Sequence, residues 1–592
     1  MRLLERLVMA HSREKKEPMS TVAENIVATL RENGVSQIYG LPGDSLNGFT
    51  DALRKDGTIS WVHVRHEEAA AFAAAASAEL TGDLAVCAGS CGPGNLHLIN
   101  GLYDANRSRV PVLAIAAHIP TVEIGSGYFQ ETRPQELFRE CSVFVEYVAD
   151  ATQMPRLLEI AMRAAVEKRG VAVLVIPGDV LLAEAKSNRS VLVEQAMPRV
   201  IPSEAELERT ADMLNKASRV TILAGAGVQG AHDEVIALAE RLQAPIVHAL
   251  RGKEHIAWDN PYDVGMTGLL GFASGYRAME DADVVLMLGT DFPYQQFYPA
   301  RAKHIQVDIR GEQLGKRHPI DIGLVGTVKD TARALLPLLT DSRHSHHLEE
   351  ARKHYRSTRE KLDDLAVPSG HKKPLHPQYI ARVLDRLADD DAVFIPDVGS
   401  PVIWAARYLR MNGRRRVIGS FIHGSMANAV SHAIGAQTAF PDRQIIAMAG
   451  DGGLSMLLGE LITIVQNNLP VKIVVFDNSS LNFVELEMKA SGFPSFGTEL
   501  KNPDFAAVAE AIGIAGFRVD ESDELEVAMA KALAHDGPAL ILVRSDRQEL
   551  SMPPNVTLEQ AKGFTLYAIR TVLSGRGDEL LDLASTNFRQ FL

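Results

Sequence analysis

The sequence predicts an α/β protein of three doubly wound parallel-sheet domains followed by a C-terminal helical tail. Three observations carry this expectation. Short apolar runs alternate with helical segments almost without a break from Thr21 to Val543, as parallel strands covered by helices on both faces do. Polar, proline-containing stretches at 185–204 and 367–377 interrupt the alternation twice and read as linkers. A length of 592 residues is several times what one hydrophobic core organises.

The expected boundaries are an extension at 1–18, domains at 19–190, 191–366 and 367–548, and a tail at 549–592. In the first domain 22–31 has helical spacing, while 37–40, 59–64, 85–88, 112–116 and 171–176 read as strands. An alanine-rich helix runs from Glu67 to about Leu80. The second domain offers strands at 220–223, 245–249, 284–288 and 304–307, then a charged helix at 348–364. The third offers 392–395, 416–420, 445–449, 471–476 and 539–543, and the tail has no strand signal. The first and third domains are similar in plan.

Composition excludes several classes. With 46% hydrophobic and 23% charged residues the chain is globular rather than disordered. A net charge of −13, with no basic run longer than Arg414-Arg415-Arg416, argues against nucleic acid as a partner. The longest apolar stretches, 69–76 and 110–117, fall far short of the ~20 residues of a membrane span. Cys87, Cys91 and Cys141 form neither a disulfide framework nor a zinc pattern and read as small buried hydrophobes in a reducing compartment. Residues 1–18 carry Arg2, Glu5 and Arg6 within their apolar part and precede no small-residue cleavage site, which makes a poor signal peptide. They read as a disordered or helical extension or an over-long translation start, with Met19 opening the fold.

The most informative segment is 444–483, QIIAMAGDGGLSMLLGELITIVQNNLPVKIVVFDNSSLNF. It reads as strand, glycine turn, helix and strand, closed by Asp477-Asn478. A right-handed crossover ends both strands on one sheet edge and sets Asp451 beside Asn478. Both are hard oxygen donors suited to Mg²⁺. The glycines let backbone N–H groups approach a phosphate at a helix N-terminus. Taken alone, the glycine turn is an ordinary strand–helix connection; the Asp-Asn pair 26 residues after Asp451 makes it more.

This spacing resembles the signature of the thiamin diphosphate-dependent enzymes. The resemblance implies Mg²⁺ on Asp451, Asn478 and the backbone carbonyl of Ser480. It places the cofactor against Gly452, Gly453, Ser479, Leu481, Asn482, Phe483 and Val484. Asp477 stands where relatives often carry Asn, and metal binding is expected to survive because Asn478 is the ligand. Glu67, at a strand–helix junction, matches the family glutamate that bonds N1′ of the aminopyrimidine. Its alanine-rich surroundings would desolvate the carboxyl and favour its protonated form. Without the metal motif, His66-Glu67-Glu68 is a helix cap. Gly424, Ser425 and Met426 match the turn that meets the 4′-amino group and bends the cofactor, although a Met after a Gly is more often core.

The middle domain carries Gly225, Gly227 and Gly230 in GAGVQG after a strand, a weak dinucleotide signal, since no acidic residue closes the next strand. Its segments resemble the FAD-binding domain of pyruvate oxidases. Flavin contacts are then implied for Gly268, Leu269, Leu270 and Gly271, for Asp291, Phe292, Pro293, Tyr294 and Gln295, and for Asp308 and Ile309. Gly225 and Gly227 would lie near the diphosphate.

From Thr21 to Asn587 the chain is similar to the quinone-reducing pyruvate oxidases. Phe129 and Gln130 match the substrate-pocket pair, Phe483 the flavin-facing aromatic, and Glu487 a second pocket polar group. Asn482 stands where relatives keep a small Gly, so altered substrate fit or rate is expected. Leu580, Ala584, Phe588 and Phe591 form one helical stripe with Leu581 beside it, flanked by Arg576 and Arg589. Such a helix packs on its own protein or lies at a membrane surface; the resemblance favours phospholipid.

The implied activity is pyruvate + quinone + water → acetate + CO₂ + quinol, with ubiquinone or menaquinone as acceptor. It implies a homotetramer, peripheral on the inner face of a bacterial membrane. Three alternatives stay open: an oxygen- and phosphate-using pyruvate oxidase, an acetolactate synthase, and a non-catalytic interaction protein on a decayed scaffold. Intact Glu67, Asp451 and Asn478 argue against the last.

Overall fold

A computed structural model describes residues 20–549, apart from 188–190, 197, 342–343 and 372, together with 566–568. The N-terminal extension and the tail stripe from Leu580 to Phe591 lie outside these residues. Among those described, no helix is long and apolar enough to cross a membrane.

Among the described residues eighteen strands form three six-stranded sheets in which every pairing between strands is parallel. The first sheet holds β1 (Gln37–Gly40), β2 (Ser60–His63), β3 (Ala85–Gly89), β4 (Val112–His118), β5 (Phe144–Tyr147) and β6 (Val171–Pro177), in the order β2-β1-β3-β4-β6-β5. The second holds β7 (Val220–Ala224), β8 (Ile246–His248), β9 (Asp263–Met266), β10 (Val284–Leu288), β11 (Lys303–Asp308) and β12 (Ile322–Val325), in the order β12-β11-β10-β7-β8-β9. That is the doubly wound order of dinucleotide-binding folds. The third holds β13 (Val393–Pro396), β14 (Arg416–Val417), β15 (Ile445–Gly450), β16 (Lys472–Asp477), β17 (Ala515–Val519) and β18 (Ala539–Arg544), in the order β14-β13-β15-β16-β18-β17. Its pattern repeats that of the first sheet, as their similar plans suggested.

The expected strands are present, and four more occur: β5, β9, β12 and β17. Each lies at a sheet edge, where one side is unpaired and the apolar run is short. The expected strand at 416–420 shrinks to two residues for the same reason.

The helices that position function follow from local sequence. Helix α1 (Glu67–Thr81) is capped by His66, whose side chain accepts from Glu68 N–H, and stops at Gly82 with φ 82°. It is buried on nearly every side because its alanines admit helix α2 (Pro93–Ser108) at close range. A Cβ on Gly101 would lie 2.5 Å from Ala71 Cβ and 2.8 Å from the Glu68 carbonyl. Further along come α3 (His346–Leu365), α4 (Ser400–Tyr408), α5 (Asn428–Ala439), α6 (Asp451–Met456) and α7 (Asn482–Ala490).

Two compact units divide the chain at residue 196. The first sheet belongs to one, and the second and third share the other. Within the latter, Arg416 donates to Glu254 through Nε and Nη2 at 2.9 and 3.1 Å, joining β14 to the central domain. The segment after β18 is tied down as firmly. Arg547 donates to Glu485 at 3.1 and 3.0 Å, and Lys489 donates to Gln548 at 2.8 Å. Glu549 accepts from Gln378 at 2.5 Å and lies 2.8 Å from His376 Nδ1. Beyond it, buried Tyr567 has its ring centroid 5.5 Å from Lys489 Nζ.

Gly101→Val should overpack the α1–α2 contact and destabilise the first unit by about 1–3 kcal/mol. Scanning calorimetry should show its transition moved to lower temperature with the other unit unchanged.

Candidate active site

In the third sheet the chain runs from β13 outward to β14 in one direction and onward to β15 in the other. This reversal opens a crevice at the carboxyl ends of β13 and β15. Asp451 opens α6 there, and Asn478 follows β16, which is in register with β15 from Ile446–Lys472 to Gly450–Phe476. The Asp451 carboxylate is buried. It accepts from Gly452 N–H at 2.9 Å and from Asn502 Nδ2 at 2.8 Å; the same amide donates to Asp477 at 2.8 Å. Burial, and then the like charge of Asp477, raise the proton affinity of Asp451.

The loop after β16 is fixed by its own bonds. Ser479 adopts φ 55°, and buried Asn478 accepts from Ser480 N–H at 3.0 Å. Ser480 pairs with Glu499 and donates its hydroxyl to Glu485 at 2.6 Å. Among the described residues no cluster of three or more His, Cys, Asp or Glu is placed to hold a metal. The donors expected here are one carboxylate, one amide and one backbone carbonyl. They fit a hard divalent cation, which would relieve the charge of a buried carboxylate and leave places for diphosphate oxygens. The glycines match: a Cβ on Gly452 would lie 2.8 Å from Leu481 Cδ2 and 3.3 Å from Met426 Cε, and one on Gly453 would strike Asp397. Gly424 has φ 81°. The structure therefore brings the 424–426 turn and the Asp451 loop together.

On α7, Phe483 is half-buried against the third core and Glu487 is exposed. Asn482 donates to the Arg547 carbonyl at 2.6 Å. Its amide is engaged with the chain's later segment, which gives this larger residue a structural use in place of glycine.

In the first unit Glu67 is 3% exposed, with Oε2 2.9 Å from His97 Nδ1. His97 stacks on His66 with ring centroids 4.2 Å apart. Glu68 turns to a different partner and accepts from Asn100 at 2.7 Å. A Cβ on Gly94 would lie 2.9 Å from Glu67 Oε1, and one on Gly92 would lie 2.8 Å from Gln130 Cβ. Glu67 and Gln130 thus both abut the turn after β3. Gln130 has φ 61° and accepts from the Cys91 thiol at 3.2 Å. Phe129 is 75% exposed.

The expected flavin-contacting stretches gather at one edge of the second sheet. Gly225 and Gly227 donate N–H to the carbonyls of Leu288 and Gly289, each at 3.0 Å. A Cβ on either would come within 2.6 Å of the segment after β10, so the strand ends close on each other through backbone alone. This cradle lies between β7 and β10, where the strand order reverses. Gly268, with φ 97°, faces Phe292, whose Cζ would lie 3.0 Å from a Cβ there. Asp308 is buried at the end of β11 and accepts from Arg310 N–H at 2.9 Å. Ile309 beside it is 48% exposed. An open backbone cradle and a strand-end carboxylate fit a dinucleotide.

Family models match all three domains: the N-terminal thiamine pyrophosphate (thiamin diphosphate) binding domain at 20–137, the central domain at 207–335, and the C-terminal binding domain at 397–543. The chain belongs to the thiamine pyrophosphate enzymes. It is similar to a putative thiamine pyrophosphate-containing protein of Bacillus subtilis, 36% identical over 96% of this chain and 99% of that one. A pyruvate oxidase of Lactiplantibacillus plantarum is 32% identical over 88% of each. The large subunit of acetolactate synthase isozyme 2 of Escherichia coli is 31% identical over 90% of this chain and 96% of its own.

For a thiamine pyrophosphate enzyme the three sheets are the expected α/β domains. Three of its polar residues had no sequence signal: His97 on Glu67, Asp397 against Gly453, and Asn502 between two aspartates. Asp397 is buried at the end of β13, where burial pushes it up to about 7. It accepts from Asn428 Nδ2 at 2.9 Å, and the nearby backbone N–H groups of Asn428, Ala429, Gly450 and Val398 oppose that rise.

Asp451→Ala should abolish thiamin diphosphate binding in the presence of Mg²⁺, with the fold intact. Titration calorimetry checks this; unchanged affinity refutes the assignment.

Proposed function

We propose that this thiamine pyrophosphate enzyme oxidatively decarboxylates pyruvate to acetate and CO₂ and passes the electron pair through FAD to membrane quinone. The observation that carries the reading is the gathering of four flavin-type stretches at one sheet edge, in a chain similar to a pyruvate oxidase. When bound, thiamin diphosphate supplies the electron sink for loss of CO₂ and FAD the acceptor for the electron pair.

The chain's own residues do the rest. Asp451, Asn478 and the Ser480 carbonyl hold Mg²⁺ and through it the diphosphate. Glu67, buried and joined to His97, exchanges a proton with N1′ of the aminopyrimidine. Met426, packed over Gly452, sets the bend of the cofactor. By the resemblance, Phe129 and Gln130 would be a substrate-pocket pair, Glu487 a further pocket polar group, and Phe483 the aromatic that faces the flavin. The protein works as a homotetramer, peripheral on the inner face of a bacterial membrane, with ubiquinone or menaquinone as acceptor.

A second reading, acetolactate synthesis, has support from the Escherichia coli relative. Anaerobic pyruvate separates the two. Protein loaded with thiamin diphosphate, Mg²⁺ and FAD should bleach its flavin, form acetate, and regain colour when a soluble quinone is added. Acetolactate formation with the flavin still oxidised would replace the proposal, and acetyl phosphate formed with oxygen and phosphate would move it to another oxidase class.

Glu67→Gln should keep both cofactors yet slow flavin bleaching at least ~100-fold. A near-parental rate in stopped flow removes Glu67 from proton transfer.

The tail extends the proposal to lipid. Leu580, Leu581, Phe588 and Phe591 would insert partly into a membrane interface. The net gain is a few kcal/mol, on the order of reversible attachment. Removing residues 576–592 should abolish flotation with phospholipid vesicles while reduction of soluble acceptors by pyruvate continues. Equal flotation of the shortened and full-length chains makes the tail a packing element.

A further inference from the structure

Arg407 sits near the end of α4 and is 8% exposed. Burial lowers its guanidinium to about 10. Its contacts are with the central domain: Nε donates to the Leu270 carbonyl at 3.1 Å and Nη2 to the Gly271 carbonyl at 3.2 Å. Those carbonyls belong to the turn 268–271, closed by Gly271 N–H on the Gly268 carbonyl at 2.9 Å. The turn lies close on its own strand, where only glycine fits: a Cβ on Gly271 would lie 2.6 Å from the Met266 carbonyl. A guanidinium holding two successive carbonyls is a planar, two-pronged clamp that a lysine cannot copy.

The clamp is itself braced. Arg359 on α3 donates to the Arg407 carbonyl at 2.6 Å and to Asp363 at 3.0 Å. Its guanidinium lies 5.9 Å from the Phe272 ring centroid and 6.0 Å from that of Tyr408. Met266, Phe272 and Ala406 form a small buried cluster beside it. At its other end, α4 begins at Ser400, three residues after Asp397. Nine helical residues span about 12 Å, so one rigid element runs from the Asp397–Gly453 contact to the 268–271 turn.

We infer that Arg407 is a positioning residue that sets the FAD seat of the central domain relative to the thiamin diphosphate half-site of the third. This rests on the reading that the central domain binds FAD. Through its bonds to Leu270 and Gly271, Arg407 acts on the backbone of 268–271. The step it governs is pyruvate + FAD + H₂O → acetate + CO₂ + FADH₂, in which pyruvate is oxidised and the flavin takes two electrons and two protons.

The test compares full-length Arg407→Ala and Arg407→Lys with the parent, and with Arg416→Gln, which cuts a different tie between the same two domains. Lys keeps charge and bulk if the Ala chain does not fold. Three quantities are read: FAD affinity by fluorescence titration, the shape of the bound flavin's visible circular dichroism band, and the rate of anaerobic bleaching by pyruvate. Both Arg407 variants should weaken FAD and slow bleaching at least about tenfold, as loss of two charge-assisted bonds implies. They should also change the flavin band while thiamin diphosphate affinity stays at the parental value. Parental values for all three in Arg407→Ala or in Arg407→Lys overturn the inference, as does Arg416→Gln reproducing all three changes. A parent protein that takes up no FAD sinks the flavin reading itself and this inference with it.

Discussion

Three carboxylates buried at or just beyond the carboxyl ends of parallel strands set the terms for the rest of the molecule: Glu67 beyond β2, Asp397 after β13 and Asp451 after β15. Removing an ionised carboxylate from water costs several kcal/mol unless charge or hydrogen bonds compensate. Each site compensates differently. Glu67 has the His97 ring nitrogen. Asp397 has the Asn428 amide. Asp451 has one N–H and one shared amide, and its acidity remains weakened by burial. Burial weakens the acidity of Asp397 and Asp451 alike, and Asp451 is the one whose loop is expected to receive a cation. Parallel pairing makes this possible, since it delivers successive strand ends to a common edge where loops and helix N-termini meet.

The same edge logic explains what was legible in the sequence. Central strands announce themselves because burial on both faces demands an unbroken apolar run; 171–176 and 284–288 need no other clue. Edge strands β5, β9 and β17 carry mixed polarity, and β12 is a four-residue run broken by Gly323, so none left such a trace. At the site, Asp451 and Asn478 were readable because a strand–glycine–helix–strand order fixes where both must stand. Their companions were not. Asn502 reaches the site through a loop that follows an irregular stretch, and His97 is one polar residue on a long helix. The partners of Asn482 lie more than sixty residues further along, so no local pattern announces them.

The central domain shows how specificity of placement is achieved without catalytic side chains. Gly225 and Gly227 bring one strand end against another by having nothing to interpose. A ligand there would meet backbone, whose geometry the sheet holds rigid. Arg407 adds the complementary device, a long cationic side chain that fastens a turn from outside by its carbonyls, and Arg359 braces it through the Arg407 carbonyl.

The ties after β18 mark where the catalytic body ends. Were the chain to stop at the last strand, Arg547, Gln548 and Glu549 would be lost together. Glu485, Lys489 and Gln378 would then keep buried polar groups without those partners. Glu485 also receives the Ser480 hydroxyl, so the damage would spread to the metal loop. Trimming from the C-terminus, by a protease or over evolutionary time, therefore costs buried contacts even before it reaches Glu549, since buried Tyr567 lies against Lys489. The reach of such trimming is thus set by side chains on α7, far upstream of the cut, and not by the strand nearest to it.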